Sequence, residues 1–168
     1  AGMMVSFIQS NYAGFGSGVV VPGTGVSLHN RGRGFRLDPG HPNRVAGGKR
    51  PYHTIIPGFV TRGGEPLMSL GVMGAHMQPQ GHLQMVVRIF DYGQNPQAAS
   101  DAPRWHVLED GTLALEEGFS PGLISALEAR GHRIISGPPP FGFGGAQMIL
   151  MLGRGYCAAS DQIGRAHV

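Results

Sequence analysis

Leu67-Met-Ser-Leu-Gly-Val-Met73, the pair Gly74-Ala75, and His76-Met-Gln-Pro79 followed by Leu83, Val86, Val87 and Phe90 at three- and four-residue spacing read as strand, tight turn and helix. Pro79 suits the first turn of that helix and Gly93 is placed to stop it. Amides exposed at such a turn can hold a developing negative charge, although most strand-to-helix turns have no such role. Upstream, residues 52–60 read as a strand, and Arg62-Gly-Gly64 turns it back on residues 67–73 as a hairpin. Downstream, Asn95-Pro96 opens a short helix that ends before Pro103. Residues 105–108 and 112–115 read as short strands. Ser120-Pro121 caps a helix carrying Leu123, Ile124 and Leu127, which ends at Gly131. Residues 133–136 and 146–152 are strands separated by a Gly/Pro-rich loop at 137–145. Strands, then helices, then strands, most joined tightly, imply an antiparallel sheet with helices on one face, an α+β fold.

The N-terminal third is richer in glycine. Met3-Met-Val-Ser-Phe-Ile-Gln9 reads as a strand that gives way to the polar run Gln9, Ser10, Asn11, Tyr12 and then to Gly14, Gly16 and Gly18. A second strand, Gly25-Val-Ser-Leu-His-Asn30, ends in Arg31-Gly-Arg-Gly. Two such tips could floor a polar pocket; spacing alone fits two ordinary glycine loops as well.

The chain has 168 residues, 17.7 kDa, enough for one domain with a sizeable core. With 41% hydrophobic and 14% charged residues it is not a disordered chain, and 29 glycines suggest a tightly turned sheet protein. One cysteine, Cys157, excludes an internal disulfide framework and reads as packed rather than reactive. No apolar run approaches the roughly 18 residues of a membrane span. Residues 31–50 hold Arg31, Arg33, Arg36, Arg44, Lys49 and Arg50 against one acid, Asp38. Prolines and glycines interrupt this run, so it suits a loop gripping a small carboxylate, or a solvated loop, better than a nucleic-acid groove. His76, His82 and His106 offer a metal-site reading, but their spacing matches no familiar ligand pattern. Ile163-Gly-Arg-Ala-His-Val168 reads as a non-native scar.

Phe15-Gly-Ser-Gly-Val, Gly25-Val-Ser-Leu-His-Asn30 with Phe35, Asp38-Pro-Gly40, Lys49-Arg-Pro51, Gly71-Val-Met-Gly-Ala75, Asp91-Tyr-Gly-Gln-Asn95, Asp101-Ala-Pro-Arg104 and Ala158-Ala-Ser-Asp161 occur in an order that resembles the catalytic subunit of the gamma-glutamyltranspeptidase family. The resemblance spans nearly the whole chain. It implies the four-layer αββα sandwich of N-terminal-nucleophile hydrolases, here incomplete. Residues 1–162 would form a partial catalytic domain lacking the strand that starts with the nucleophile.

In that family a precursor cuts itself and frees an N-terminal Thr whose own α-amine serves as base. By resemblance the matching position lies upstream of Ala1, and Thr24, Thr54, Thr61 and Thr112 are all internal, so this fragment alone is expected to be inactive. The same likeness assigns Gly74 and Ala75 to the oxyanion hole, Gln9 to support of the nucleophile, and Asn11, Arg31, His53 and Thr54 to substrate. Ala75 stands where a second glycine is usual. Arg31 stands where Gln is frequent, and Gly34 where an Asp pairs with the glutamyl ammonium. Losing that anion and gaining a cation disfavours an ammonium and favours a carboxylate. The implied protein is therefore an amidohydrolase or acyltransferase acting on γ-glutamyl (glutathione-type) or related acyl amides. A cephalosporin-type acylase and an inactive binding homologue are the alternatives. No metal or other cofactor is implied, and no nucleic acid or membrane. The expected partners are a small-molecule amide and a large subunit from the same precursor, which would cover apolar surface on strands at 55–60 and 148–152. The compartment is left open.

Overall fold

The structure is a computed structural model that describes residues 3–139 and 142–161. The suspected scar at 163–168 lies outside the described residues. The chain divides into two compact units, residues 8–56 and the remainder.

The larger unit is built on an antiparallel sheet. β1 (Gly58–Arg62) and β2 (Glu65–Val72) form the expected hairpin around Gly63 and Gly64, both at positive φ. β6 (Ala146–Met151) pairs with the other edge of β2, and β7 (Tyr156–Ser160) closes the order β1-β2-β6-β7. Alternation decides which side is covered. Met68, Leu70 and Val72 of β2, Ala146 and Met148 of β6, and Ala159 of β7 face one way and are buried. Met85, Ile89 and Ala99 close this core from the helices.

Those helices are α1 (Met77–Phe90) and α2 (Pro96–Asp101). In α1 the buried residues Met77, Gly81, Met85 and Ile89 fall every fourth position, a single stripe laid on the sheet. Gly81 sets the distance of approach: a Cβ there would come within 2.6 Å of Val72 Cγ1. Asn95 caps α2, its Oδ1 accepting from Ala98 N at 2.8 Å.

A second sheet follows, of β3 (Trp105–Val107), β4 (Leu113–Leu115) and β5 (Ile134–Ser136). β3 and β4 are antiparallel, whereas β4 and β5 run parallel, because α3 (Pro121–Glu128) carries the chain back between them. Two side chains of α1 complete the free edge of β3. Gln84 donates to Trp105 O at 2.9 Å and accepts from Trp105 N at 3.0 Å. Gln80 does the same for Val107 at 3.0 and 2.8 Å.

Three strand readings need correction. Residues 3–9 are not a strand: both edges of β2 are already taken by β1 and β6, so this segment meets β2 through side chains. Ser6 Oγ donates to Leu70 O at 3.0 Å and Ser69 Oγ to Val5 O at 2.7 Å. Residues 25–30 contribute only the isolated bridge Val20–Ser27, since positive φ at Gly16, Gly18, Gly23 and Gly25 breaks up any longer ladder. The strand expected from 52 begins at Gly58. Among the described residues the strands fall in two sheets, and β7 is a strand that no local pattern announces.

The uncovered face of the larger sheet is apolar, as the reading of strands near 55–60 and 148–152 anticipates. Phe59 is 52% exposed and Ile149 51%. Met3, Val5, Leu67, Ile149, Met151 and Tyr156 line a shallow groove of about 240 Å³ there. Among the described residues no helix is long and apolar enough to cross a membrane.

Candidate functional site

The seven residues singled out by sequence divide between the units, five in residues 8–56 and two in the larger unit.

In the smaller unit the chain is a set of loops held by polar side chains. Asn30 is the central staple: its Oδ1 accepts from Ala13 N at 3.0 Å, and its Nδ2 donates to Ala13 O and Gly16 O at 3.2 and 3.0 Å. Gly16, at φ 71°, has no room for a side chain, because a Cβ would lie 2.4 Å from Leu28 O. Asn30 N also donates to Asn11 O at 3.1 Å, which fixes the backbone of Asn11 while its carboxamide makes no hydrogen bond among the described residues. Sequence reasoning missed Asn30 as a scaffold residue, although a carboxamide beside spaced glycines is the usual signal of a pinned loop.

Arg31 opens a short 3-10 turn, Arg31–Gly34. Its guanidinium donates to Thr54 Oγ1, to Ser10 O at 2.8 Å and to Ser10 Oγ at 2.6 Å, and stands 5.8 Å over the Tyr12 ring. Thus Arg31 and Thr54 do meet, and Thr54 is buried. Every one of these partners is neutral; among the described residues no carboxylate pairs with Arg31. His53 is exposed, its Nδ1 accepting from Ile55 N at 3.2 Å, and it does not join the cluster. Gln9 is exposed and makes no hydrogen bond among the described residues. Asn43 ties Gly34 to Tyr52, donating to Gly34 O at 2.5 Å and accepting from Tyr52 N at 3.0 Å. Gly34 has space for a side chain: a Cβ would meet only Tyr52 O, at 3.9 Å.

In the larger unit, Gly74 and Ala75 form the turn between β2 and α1, with φ of 118° and 50°. For Ala75 the left-handed conformation costs about 1–2 kcal/mol relative to glycine. Met77 N donates to Gly74 O at 2.9 Å and Gln78 N to Ala75 O at 3.1 Å, so the helix winds directly out of the turn. Residues 142–146 pack on its other side. Met73 N donates to Gly145 O at 3.0 Å, and a Cβ on Gly144 would fall 2.2 Å from Met73 O. His106 is buried, and that burial lowers its pKa against the opposing effects of a hydrogen bond to the Gly142 backbone; the charge of His76 lowers it further. Burial likewise lowers the pKa of His82, partly offset by its hydrogen bond to Gln78 O, 2.7 Å from Nδ1. Among the described residues no group of three His, Cys, Asp or Glu side chains is placed to hold a metal ion.

Behind this turn lies a buried ionic cluster. Arg104 is wholly buried, with Nη2 2.7 Å from Asp161 Oδ2 and Nε 3.7 Å from Glu116 Oε2. The guanidinium N–H groups are poorly aligned on these oxygens, so the contacts are charge pairs more than hydrogen bonds. Arg88 lies close by and donates to Ala99 O and Ala102 O, each at 3.0 Å, and to Pro103 O. Its pKa is lowered first by burial and then by the Arg104 charge.

A family profile for gamma-glutamyltranspeptidase matches residues 1–168. The chain is 40% identical over 138 residues to the glutathione hydrolase-like YwrD proenzyme of Bacillus subtilis, covering 79% of this chain and 26% of that protein. It is 39% identical over 139 residues to the oxamate amidohydrolase proenzyme of Klebsiella pneumoniae, covering 80% of this chain and 26% of that one. The chain thus spans about a quarter of the length of these relatives. A crystal structure of a cephalosporin acylase from Bacillus halodurans superposes with a TM-score of 0.84 at 48% identity, over 95% of this chain and 30% of that chain.

Proposed function

From a chain that belongs to the gamma-glutamyltranspeptidase family, we propose a protein that cleaves or transfers acyl amides, preferring an acyl group that carries a carboxylate and no ammonium. The observation that carries the preference is Arg31, a cation whose partners among the described residues are all neutral, on a turn where Gly34 offers no anion. A substrate carboxylate supplies the charge that these partners lack, and Thr54 and Ser10 hold the guanidinium fork in place. An ammonium at the same place would meet a like charge. Oxamate, which gives one relative its name, is itself an amide adjoining a carboxylate.

The chemistry follows N-terminal-nucleophile logic. A threonine freed by self-cleavage of the precursor attacks the amide carbon through Oγ, and its α-amine takes the proton and passes it to the departing amine. The amides of Gly74 and Ala75 receive the oxygen as it becomes negative. Water, or an acceptor amine, then releases the acyl group. A large subunit from the same precursor completes the site and covers the apolar sheet face.

The test is expression of the full precursor, with a denaturing gel and mass spectrometry for cleavage before a Thr. The p-nitroanilides of succinic acid, γ-glutamate and a plain fatty acid are then compared. The expected order in kcat/KM is succinyl above γ-glutamyl above plain acyl, with Arg31→Gln removing the first advantage by about 10-fold or more. An uncut, inert precursor would sink the enzymatic reading and leave a binding homologue.

A further inference from the structure

The buried Arg104 has two acidic partners, and they touch different things. Glu116 is local to the second sheet: its Oε2 accepts from Arg104 N at 2.8 Å, and Glu116 N donates to Arg104 O at 2.9 Å. Asp161 reaches elsewhere. Its Oδ2 accepts from Ala146 N at 3.1 Å, while Asp161 N donates to Ala146 O at 2.8 Å. Ala146 is the first residue of β6 and directly follows Gly144-Gly145, the pair packed on Met73 and Gly74.

We propose that Asp161, held by Arg104, is a positioning residue for the amide-cleaving reaction: through Ala146 and Gly145 it fixes the Gly74–Ala75 turn whose amides receive the oxyanion. This rests on the oxyanion reading of that turn. A wholly buried guanidinium is expensive to place, and one carboxylate would go far toward pairing it. The second carboxylate spends its remaining contacts on the strand start that abuts the turn. Gly144 explains why the coupling is stiff. A Cβ on Gly74 would lie 3.2 Å from Gly144 Cα and one on Gly144 2.2 Å from Met73 O, so residue 144 is packed directly on the turn and a displacement of it toward the turn is passed on. Oxyanion donors are sensitive to such shifts, because their value depends on placement before the charge develops.

The two partners of Arg104 provide the experiment, made in the full-length precursor. Asp161→Asn keeps an acceptor for Ala146 N but removes the charge that Arg104 holds, and Glu116→Gln removes the other charge. Expected for Asp161→Asn are amide exchange at Gly74 and Ala75 faster by about 10-fold, kcat lower by about 10-fold or more, and KM within about 2-fold. Affinity for a boronate that forms a tetrahedral adduct with the nucleophile falls in parallel with kcat. Expected for Glu116→Gln is a lower melting temperature with exchange at the turn and kcat within about 2-fold of the parent. Equal effects of the two variants on the turn, or no effect of Asp161→Asn on its exchange, overturn the proposal. Faster exchange with unchanged kcat leaves the brace standing and sinks the oxyanion role of the turn instead. Should Asp161→Asn not fold, Asp161→Glu, which keeps the charge one carbon further out, carries the same comparison.

Discussion

Residues 8–56 hold four of the sequence motifs yet bury one residue, Thr54, and form no strand longer than a single bridge. Residues 57–161 hold the other four within a sheet, two covering helices and a wholly buried arginine. The first region is organised by polar side chains that reach backbone, with Asn30 and Asn43 as staples. The second is organised by apolar alternation, with polar groups admitted where they are paired. The lesson is that a motif's spacing reports different physics in each. Between loops it marks where side-chain amides pin the turning backbone; within the sheet it marks where strands and a buried charge meet.

The largest effect is expected in the sheet unit. Met85→Ala removes a fully buried side chain against β2 and should cost about 2–5 kcal/mol, measured by chemical denaturation. A loss below about 1 kcal/mol would mean this core does not carry the fold. Asn30→Ala tests the loops and should cost about 1–3 kcal/mol, appearing as faster amide exchange at Ala13 and Gly16 with β2 unaffected. Gly34→Asp sharpens the chemical side. The position has room, so the fold should persist while preference among the p-nitroanilides moves toward γ-glutamyl by about 10-fold. The smallest effect is on pH. His82 and His106 both have folded pKa values below the unfolded value, so the unfolded state binds more protons as pH falls past about 6.5. Stability should be full above that pH and decline below it, and thermal melts between pH 7.5 and about 5.5 would show this. A flat profile would contradict the assigned burial.

Much of the larger unit was legible locally. The 58–72 hairpin carries its own turn, α1 its fourfold stripe, and α2 and α3 their Asn95 and Ser120 caps. What escaped was set by distant partners. β7 is made of Tyr156-Cys-Ala-Ala-Ser160, where only Tyr156 favours a strand and small residues fit only because β6 lies beside them. The glutamines that finish the edge of β3 are ordinary helix residues until β3 passes them. The tie from Arg104 to Asp161 joins residues far apart in the sequence, and no local pattern announces it. In the loops, Arg31 and Thr54 were legible as partners only through family likeness, whereas neither Gln9 nor His53 hydrogen-bonds to Arg31 among the described residues.

Gly81 against Val72 has a consequence for substitution. An alanine at 81 would gain helix propensity of about 1 kcal/mol, yet it cannot be accommodated while Val72 keeps its Cγ1. A side chain at 81 therefore calls for a smaller or shifted residue at 72, so the two positions are coupled. The last residue of β2 and a residue inside α1 thus limit each other's size across the contact between sheet and helix.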